Sequence, residues 1–265
     1  MSKVKLSDFI ASFISKKGVK SVFAISGGAS LHLIHSIDAN PDIKYICTHH
    51  EQGAAMAADS FSRVSGNIGV AIATSGPGAT NLITGICCSY YDSVPLLIIT
   101  GQVSTFRMTG GTGVRQIGFQ EMEVVDLVSS ITKYAVLIKK PSDLKFELEK
   151  AFHIANTGRK GPVLVDIPDD IQRMNLNFNK SKRFKRYCGK NILTLKNKNK
   201  VKILSKLIQN SKKPLLIIGN GIKQSNSETK LKKLIRKYKL PFLTTWACLD
   251  MFEFSNKLNA GTFGV

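Results

Sequence analysis

Leu6, Phe9, Ile10, Phe13 and Ile14 recur at i, i+3, i+4, i+7 and i+8, which predicts an opening amphipathic helix that stops near Gly18. A short apolar run at 21–26 follows and breaks at Gly27-Gly28. Beyond that pair, Leu31, Leu33, Ile34 and Ile37 give residues 29–39 a helical face. The alternation then repeats, with strands at 44–48, 69–74 and 95–100 and helices at 51–65 and 79–91. Each strand is short, rich in β-branched residues and nearly apolar throughout, as expected of parallel strands covered by helices on both faces. A glycine-rich stretch at 102–118 with few hydrophobes reads as a long loop, and loops of that length in compact domains usually serve function. A short helix at 121–128, a strand at 133–138, a helix at 142–157 and a strand at 162–167 complete the first rhythm. The fold class is therefore α/β, a parallel sheet of about six strands flanked by helices.

A second rhythm starts at Val201, with a helix at 201–209, a strand at 214–218, a turn at Gly219-Asn220-Gly221, a helix at 229–239 and a strand at 241–244. We divide the chain into a first domain at 1–178, a basic linker at 179–200 and a second α/β domain at 201–265. About 65 residues are short for a closed doubly wound sheet, so the second domain is expected to be incomplete and the chain a fragment.

The formal net charge of +20 is unevenly spread. Residues 1–170 hold 16 Lys and Arg against 15 Asp and Glu, whereas 171–227 hold 15 basic side chains and no acidic one. The excess thus lies outside the well-patterned first domain. The Lys-, Asn- and Ser-rich stretch 180–202 reads as a solvated linker, since no aromatic ladder or zinc-finger spacing accompanies it, and no nucleic-acid partner is expected. No apolar run approaches the ~20 residues of a membrane span. No signal or transit pattern is visible at the amino terminus, and five cysteines without CxxC spacing favour neither a disulfide framework nor a zinc site. A cytoplasmic setting without membrane contact is the expectation.

In an open parallel sheet, ligands sit beyond the carboxyl ends of the strands. Three such ends carry unusual residues: Gly27-Gly28, His49-His50-Glu51-Gln52-Gly53, and Thr74 to Asn81, a Gly/Pro turn leading into a helix. Each has a plain structural explanation. A Gly-Gly pair makes a turn, Glu51 favours the positive end of its helix, and paired histidines commonly lie at the surface. The third segment lacks both the GK[ST] of a P-loop and the third glycine of the dinucleotide fingerprint.

Taken together the segments are more specific. Ser26-Gly27-Gly28-Ala29, His50-Glu51-Gln52-Gly53-Ala54-Ala55 and Thr74-Ser75-Gly76-Pro77-Gly78-Ala79-Thr80-Asn81, followed by Thr100-Gly101-Gln102-Val103, closely resemble the amino-terminal pyrimidine-binding domain of thiamine-diphosphate-dependent enzymes. The likeness is strongest to the acetolactate synthase large subunit. Phe119-Gln120-Glu121, the run from Gly161 to Pro168, and Lys213-Pro214-Leu215 with Gly219-Asn220-Gly221 extend it over nearly the whole chain.

The resemblance implies a thiamine-diphosphate-binding fold and a chemistry in which Glu51 shares a proton with the pyrimidine ring of the cofactor. That shift lets the cofactor's own amino group take the thiazolium proton. It places Gly27, Gly28, Pro77 and Asn81 around the aminopyrimidine and Phe119 and Gln120 on the substrate side. The implied reaction is decarboxylation of a pyruvate-like 2-oxo acid and ligation of the resulting enamine to a second carbonyl. It assigns no metal ligand to this chain: Mg2+ and the diphosphate belong to a carboxy-terminal domain carrying a Gly-Asp-Gly…Asn motif that this sequence lacks, so the chain alone is expected to be inactive. FAD on the central domain and a homodimer or homotetramer are further implications. Thr244-Thr245-Trp246 looks more like thiamine enzymes of sugar or polysaccharide pathways. A simple 2-oxo acid decarboxylase and a non-catalytic pyrimidine-binding module also stay open.

Overall fold

A computed structural model of the protein describes residues 3–178, 182–185 and 195–263, which fall into two compact units, 1–186 and 187–265. In the first, β1 (Val4–Lys5) runs into α1 (Leu6–Lys16), followed by β2 (Ser21–Ala24), α2 (Leu31–Asp38), β3 (Lys44–Cys47), α3 (Glu51–Ser65) and β4 (Gly69–Ala73). Then come α4 (Pro77–Asn81), α5 (Ile83–Asp92), β5 (Leu96–Gln102), α6 (Val124–Val128), β6 (Tyr134–Leu137), α7 (Leu144–Asn156), β7 (Val163–Pro168), α8 (Asp169–Arg173) and β8 (Asn175–Leu176). Strands β2 to β7 form one six-stranded sheet in the order β3-β2-β4-β5-β7-β6, every pair parallel.

The near-continuous apolar strands are explained by burial on both faces. Along β4, Val70 and Ile72 enter the core shared with α1, α2, α7 and α8, while Ala71 and Ala73 face the core of α3, α5 and α6. Along β5, Leu97 and Ile99 take the first side and Leu96 and Ile98 the second. Period-two alternation therefore distributes apolar side chains between two cores, each fully buried aliphatic contributing on the order of 1.5–3 kcal/mol.

Periodicity alone misplaced several boundaries. The expected helix at 79–91 starts two residues earlier, with Pro77 at the first helical position of α4, and is divided into α4 and α5 at Leu82, whose backbone stays in the αR region. The helix expected at 121–128 begins only at Val124, since Glu121 is occupied in holding the preceding loop. The antiparallel pair β1–β8 gave no pattern at two residues per strand, yet it ties the start of the unit to its end.

β2 and β4 are neighbours, while β3 and β5 lie on opposite sides of them, so the direction of strand addition reverses between them. The crevice of such a switch point, beyond the strand ends, is where open α/β sheets bind ligands. Its floor needs a close backbone approach at Gly101 in β5. A Cβ there would stand 2.0 Å from the Ala29 carbonyl oxygen. Gly101→Ala is expected to push away the 27–30 turn and cost about 1–3 kcal/mol or more, read as a lower urea midpoint. An unchanged midpoint would show that the turn yields freely.

The second unit contains α9 (Leu195–Asn210), β9 (Leu216–Ile218), α10 (Gly221–Gln224), α11 (Glu228–Tyr238), β10 (Phe242–Thr245) and β11 (Asn259–Phe263). α9 starts six residues before the expected Val201, so the end of the stretch read as linker is helical; residues 179–181 and 186–194 lie outside the described residues. The three strands form a parallel sheet in the order β11-β10-β9 around Ile218, Ile235, Phe242, Cys248 and Met251. β11 escaped prediction because its sequence, Asn-Ala-Gly-Thr-Phe, has little β-branched or alternating apolar character.

Candidate active site

Glu51 is the first residue of α3, and the helix is capped just before it. The His50 Nδ1 accepts the backbone N–H of Gln52 at 3.1 Å, so His50 has the work of an N-cap and its ring nitrogen is an acceptor. The cap fixes where Glu51 emerges, at the carboxyl edge of the sheet. The Glu51 side chain is only 9% exposed, and its Oε2 accepts the Asn81 Nδ2–H at 2.9 Å. The Oε1 is unbonded among the described residues and lies 3.2 Å from where a Cβ on Gly78 would stand. One carboxylate oxygen is thus committed to the end of α4 and the other faces the glycine turn.

That turn is conformationally demanding. Gly76 has φ +60°, a region that L side chains rarely adopt, and its missing Cβ leaves room for Gln120. Pro77 sits on the surface at the head of α4. Thr74 connects the two glycine turns. Its Oγ1 accepts the Ala29 N–H at 3.2 Å, its Cβ fills the space above Gly27, and its methyl packs on Gly78.

Next to Thr74 opens a cavity of about 260 Å³ whose walls include Gly28, Ser75, Arg107, Phe119, Gln120 and Asp169, while Pro77 does not line it. The structure therefore gathers the expected residues into two adjoining groups. Glu51 and Asn81 are hydrogen-bonded partners, Gly28, Phe119 and Gln120 share the cavity, and Gly27 lies at the junction through Thr74. Phe119 is 81% exposed, and Gln120 has φ +61°, held against Gly76.

The loop before Phe119 is pinned at several points. The Glu121 carboxylate accepts the N–H of Thr109 at 2.5 Å and of Ile117 at 3.0 Å. Burial pushes that carboxyl up, but these backbone donors outweigh it and leave it below its ordinary value. Ser104 Oγ donates to Asp169, and Asp170 accepts both the N–H and the hydroxyl of Thr105, at 3.0 and 2.6 Å. Deeper, Asp166 accepts from Thr100 Oγ1 at 2.7 Å and from Gln102 Nε2 at 2.9 Å, and the same Gln102 nitrogen reaches the Met122 carbonyl at 2.7 Å. Burial raises the Asp166 carboxyl to about 7, with the Thr100 and Gln102 hydrogen bonds opposing the rise.

Sequence reasoning missed Arg107, Ser104, Asp169 and the role of Thr74. Loop residues carry no periodicity, and a Ser or Asp beside a strand end looks like ordinary turn chemistry. For Ser104 and Arg107 the visible signal was the length of the 102–118 loop, and for Thr74 its place at the head of the glycine turn; Asp169 gave none.

Residues 4–127 match the family model described as thiamine pyrophosphate enzyme, N-terminal TPP binding domain, and residues 201–265 match thiamine pyrophosphate enzyme, central domain. The chain is 38% identical over 95% of its length to the acetolactate synthase large subunit of Pyropia yezoensis, covering 42% of that protein. It is 36% identical over 98% of its length to acetolactate synthase 2, chloroplastic, of Nicotiana tabacum, covering 38%. It is likewise 36% identical over 99% of its length to the probable acetolactate synthase large subunit of Methanocaldococcus jannaschii, covering 44%. The chain thus spans about two fifths of the length of these curated relatives. With the six-stranded parallel sheet, the carboxylate at its switch point and two successive domain matches in order, this chain belongs to the thiamine pyrophosphate enzyme family.

Proposed function

We propose that this chain supplies the pyrimidine half of a thiamine diphosphate site in an enzyme that decarboxylates a 2-oxo acid and joins the product to a second carbonyl compound, as an acetolactate synthase does. The observation that carries the reading is the Glu51 carboxylate, nearly buried, bonded to Asn81 through one oxygen and bare on the other beside the glycine turn. This donor and acceptor set fits an aminopyrimidine. A bare carboxyl oxygen can share a proton with a ring nitrogen, the Asn81 amide fixes the plane of the carboxyl, and the glycine turns leave room for a flat ring. When bound, thiamine diphosphate supplies a thiazolium carbon that becomes nucleophilic and accepts the electrons released with carbon dioxide.

The chain's own residues do the rest of the work assigned to this half. Glu51 holds the proton at Oε1, and Asn81 keeps Oε2 from competing for it. The His50 cap and the tight packing of Thr74 fix the geometry. Phe119 and Gln120 offer an apolar and a polar surface to the substrate. Magnesium and the diphosphate would be held by a carboxy-terminal domain, and closure of the exposed side at Phe119 by a second subunit, in a homodimer or larger assembly.

Acetolactate formation from pyruvate, with thiamine diphosphate and magnesium, tests the reading on the chain alone and beside a carboxy-terminal domain of a relative. Product only in the combined sample is the expected result; no product in either would sink the assignment.

A further inference from the structure

The cavity beside Thr74 contains one cationic side chain, Arg107, and nothing assigns it a role. Arg107 ends a short 3-10 turn, Thr105–Arg107, closed by its own N–H to the Ser104 carbonyl at 2.8 Å. The turn is anchored on α8, since Ser104 holds Asp169 and Thr105 holds Asp170 through two hydrogen bonds. The two carboxylates at the head of α8 thus accept hydrogen bonds from hydroxyl and backbone donors of this turn. Among the described residues Arg107 makes no ion pair, and its guanidinium stands 5.6 Å from the centre of the Phe106 ring.

Arg107 is an exposed side chain on an anchored backbone at the wall of the cavity, and a guanidinium without an ion pair among the described residues can receive an anion there. The chemistry narrows which. A planar carboxylate matches the guanidinium fork with two parallel hydrogen bonds. The Asp169 carboxylate on the same wall repels any anion, and repels a dianionic phosphoryl group about twice as strongly as a carboxylate monoanion at the same distance. The volume, below the ~300–1,000 Å³ usual for drug-sized ligands, suits a small molecule. Phe119 provides an apolar wall for a short alkyl group, and Gln120 and Ser75 provide polar ones for a carbonyl oxygen.

We propose that Arg107 is the carboxylate anchor for the 2-oxo acid, holding it on the substrate side of the crevice that Glu51 borders. The proposal rests on the thiamine-site reading and adds the residue that makes the site select acids over neutral ketones. Its test uses this chain with pyruvate and with pyruvamide, the uncharged amide of similar shape, followed by ligand-observed NMR titration. The wild-type chain is expected to bind pyruvate more tightly than pyruvamide. Arg107→Gln is expected to lose about tenfold or more in pyruvate affinity and with it the preference for the acid. Arg107→Lys should keep part of both, and Lys44→Gln, the same charge change on an exposed edge strand, should change neither.

Wild type that does not bind pyruvate, that binds the amide equally well, or that matches Arg107→Gln overturns the anchor. Thiamine titrated into the same samples reports on the reading beneath it. Binding weakened by Glu51→Ala but unmoved by Arg107→Gln upholds the pyrimidine site whatever pyruvate does. Thiamine binding indifferent to Glu51→Ala overturns that site, and the anchor proposal with it.

Discussion

Glu51→Gln is expected to leave thiamine binding nearly intact and to slow release of the thiazolium proton by about 10²–10⁴-fold, the range of a lost acid–base group. The reason lies in the two oxygens of the wild-type carboxyl. One accepts the Asn81 amide at 2.9 Å, and a glutamine carbonyl oxygen can accept it equally well. The other, bare beside Gly78, becomes an NH2 that still donates a hydrogen bond to a ring nitrogen but cannot transfer its proton and take it back. Shape and affinity survive while the proton relay fails, so binding and chemistry separate. The measurement is hydrogen–deuterium exchange at the thiazolium carbon, followed by NMR in an assembly of this chain with a diphosphate-binding domain. Exchange at the wild-type rate in the variant would remove Glu51 from the mechanism. Equal loss of binding and exchange would reduce it to a structural contact.

How much of this was legible in the sequence depends on what kind of signal each residue leaves. The central strands β4, β5 and β7 were readable because burial on both faces forces runs such as Leu96 to Ile99 to be apolar without interruption. The order in which they lie side by side was not, since short apolar strands carry no record of their neighbours. Glu51 and the glycine turns were visible because a carboxylate and Cβ-free residues at strand ends break the pattern. Their convergence became a fact only once Thr74 was seen touching Ala29, Gly27 and Gly78 together. Arg107 left no trace beyond the length of its loop. Its role depends on Asp169 and Asp170 being engaged by Ser104 and Thr105, residues about 65 positions away along the chain. Asp166 stood in plain view inside Val-Leu-Val-Asp-Ile-Pro, but an acid in an apolar strand says nothing about its partners until the register pairs it with Thr100.

That register makes Asp166 the source of the second large effect, a pH dependence of stability opposite to that of a salt-bridged carboxylate. The folded chain holds the Asp166 proton until about pH 7, because burial outweighs the hydrogen bonds from Thr100 and Gln102 while Glu123 adds like-charge repulsion. The unfolded chain releases it near the ordinary aspartate value of 3.8. Between those two values the folded state binds one proton more than the unfolded state, so each unit of rising pH costs the fold about 1.4 kcal/mol. The contribution is fully present below pH 4, falls as pH rises, and is flat above about 7, a total on the order of 4 kcal/mol. Asp166→Asn cannot titrate. Its amide oxygen can accept the Gln102 Nε2–H while its NH2 donates to the Thr100 hydroxyl oxygen, so whatever the substitution costs is independent of pH. Urea unfolding of both proteins between pH 4.5 and 8 isolates the carboxyl, because other titrating groups cancel in the difference. Wild-type stability relative to the variant is expected to fall by about 3–4 kcal/mol across that range. A difference that stays constant would mean that Asp166 is ionised throughout. The carboxyl would then be an anion tying Gln102 to β7, and through the Met122 carbonyl would steady the segment that presents Phe119 and Gln120, across the whole of that pH range.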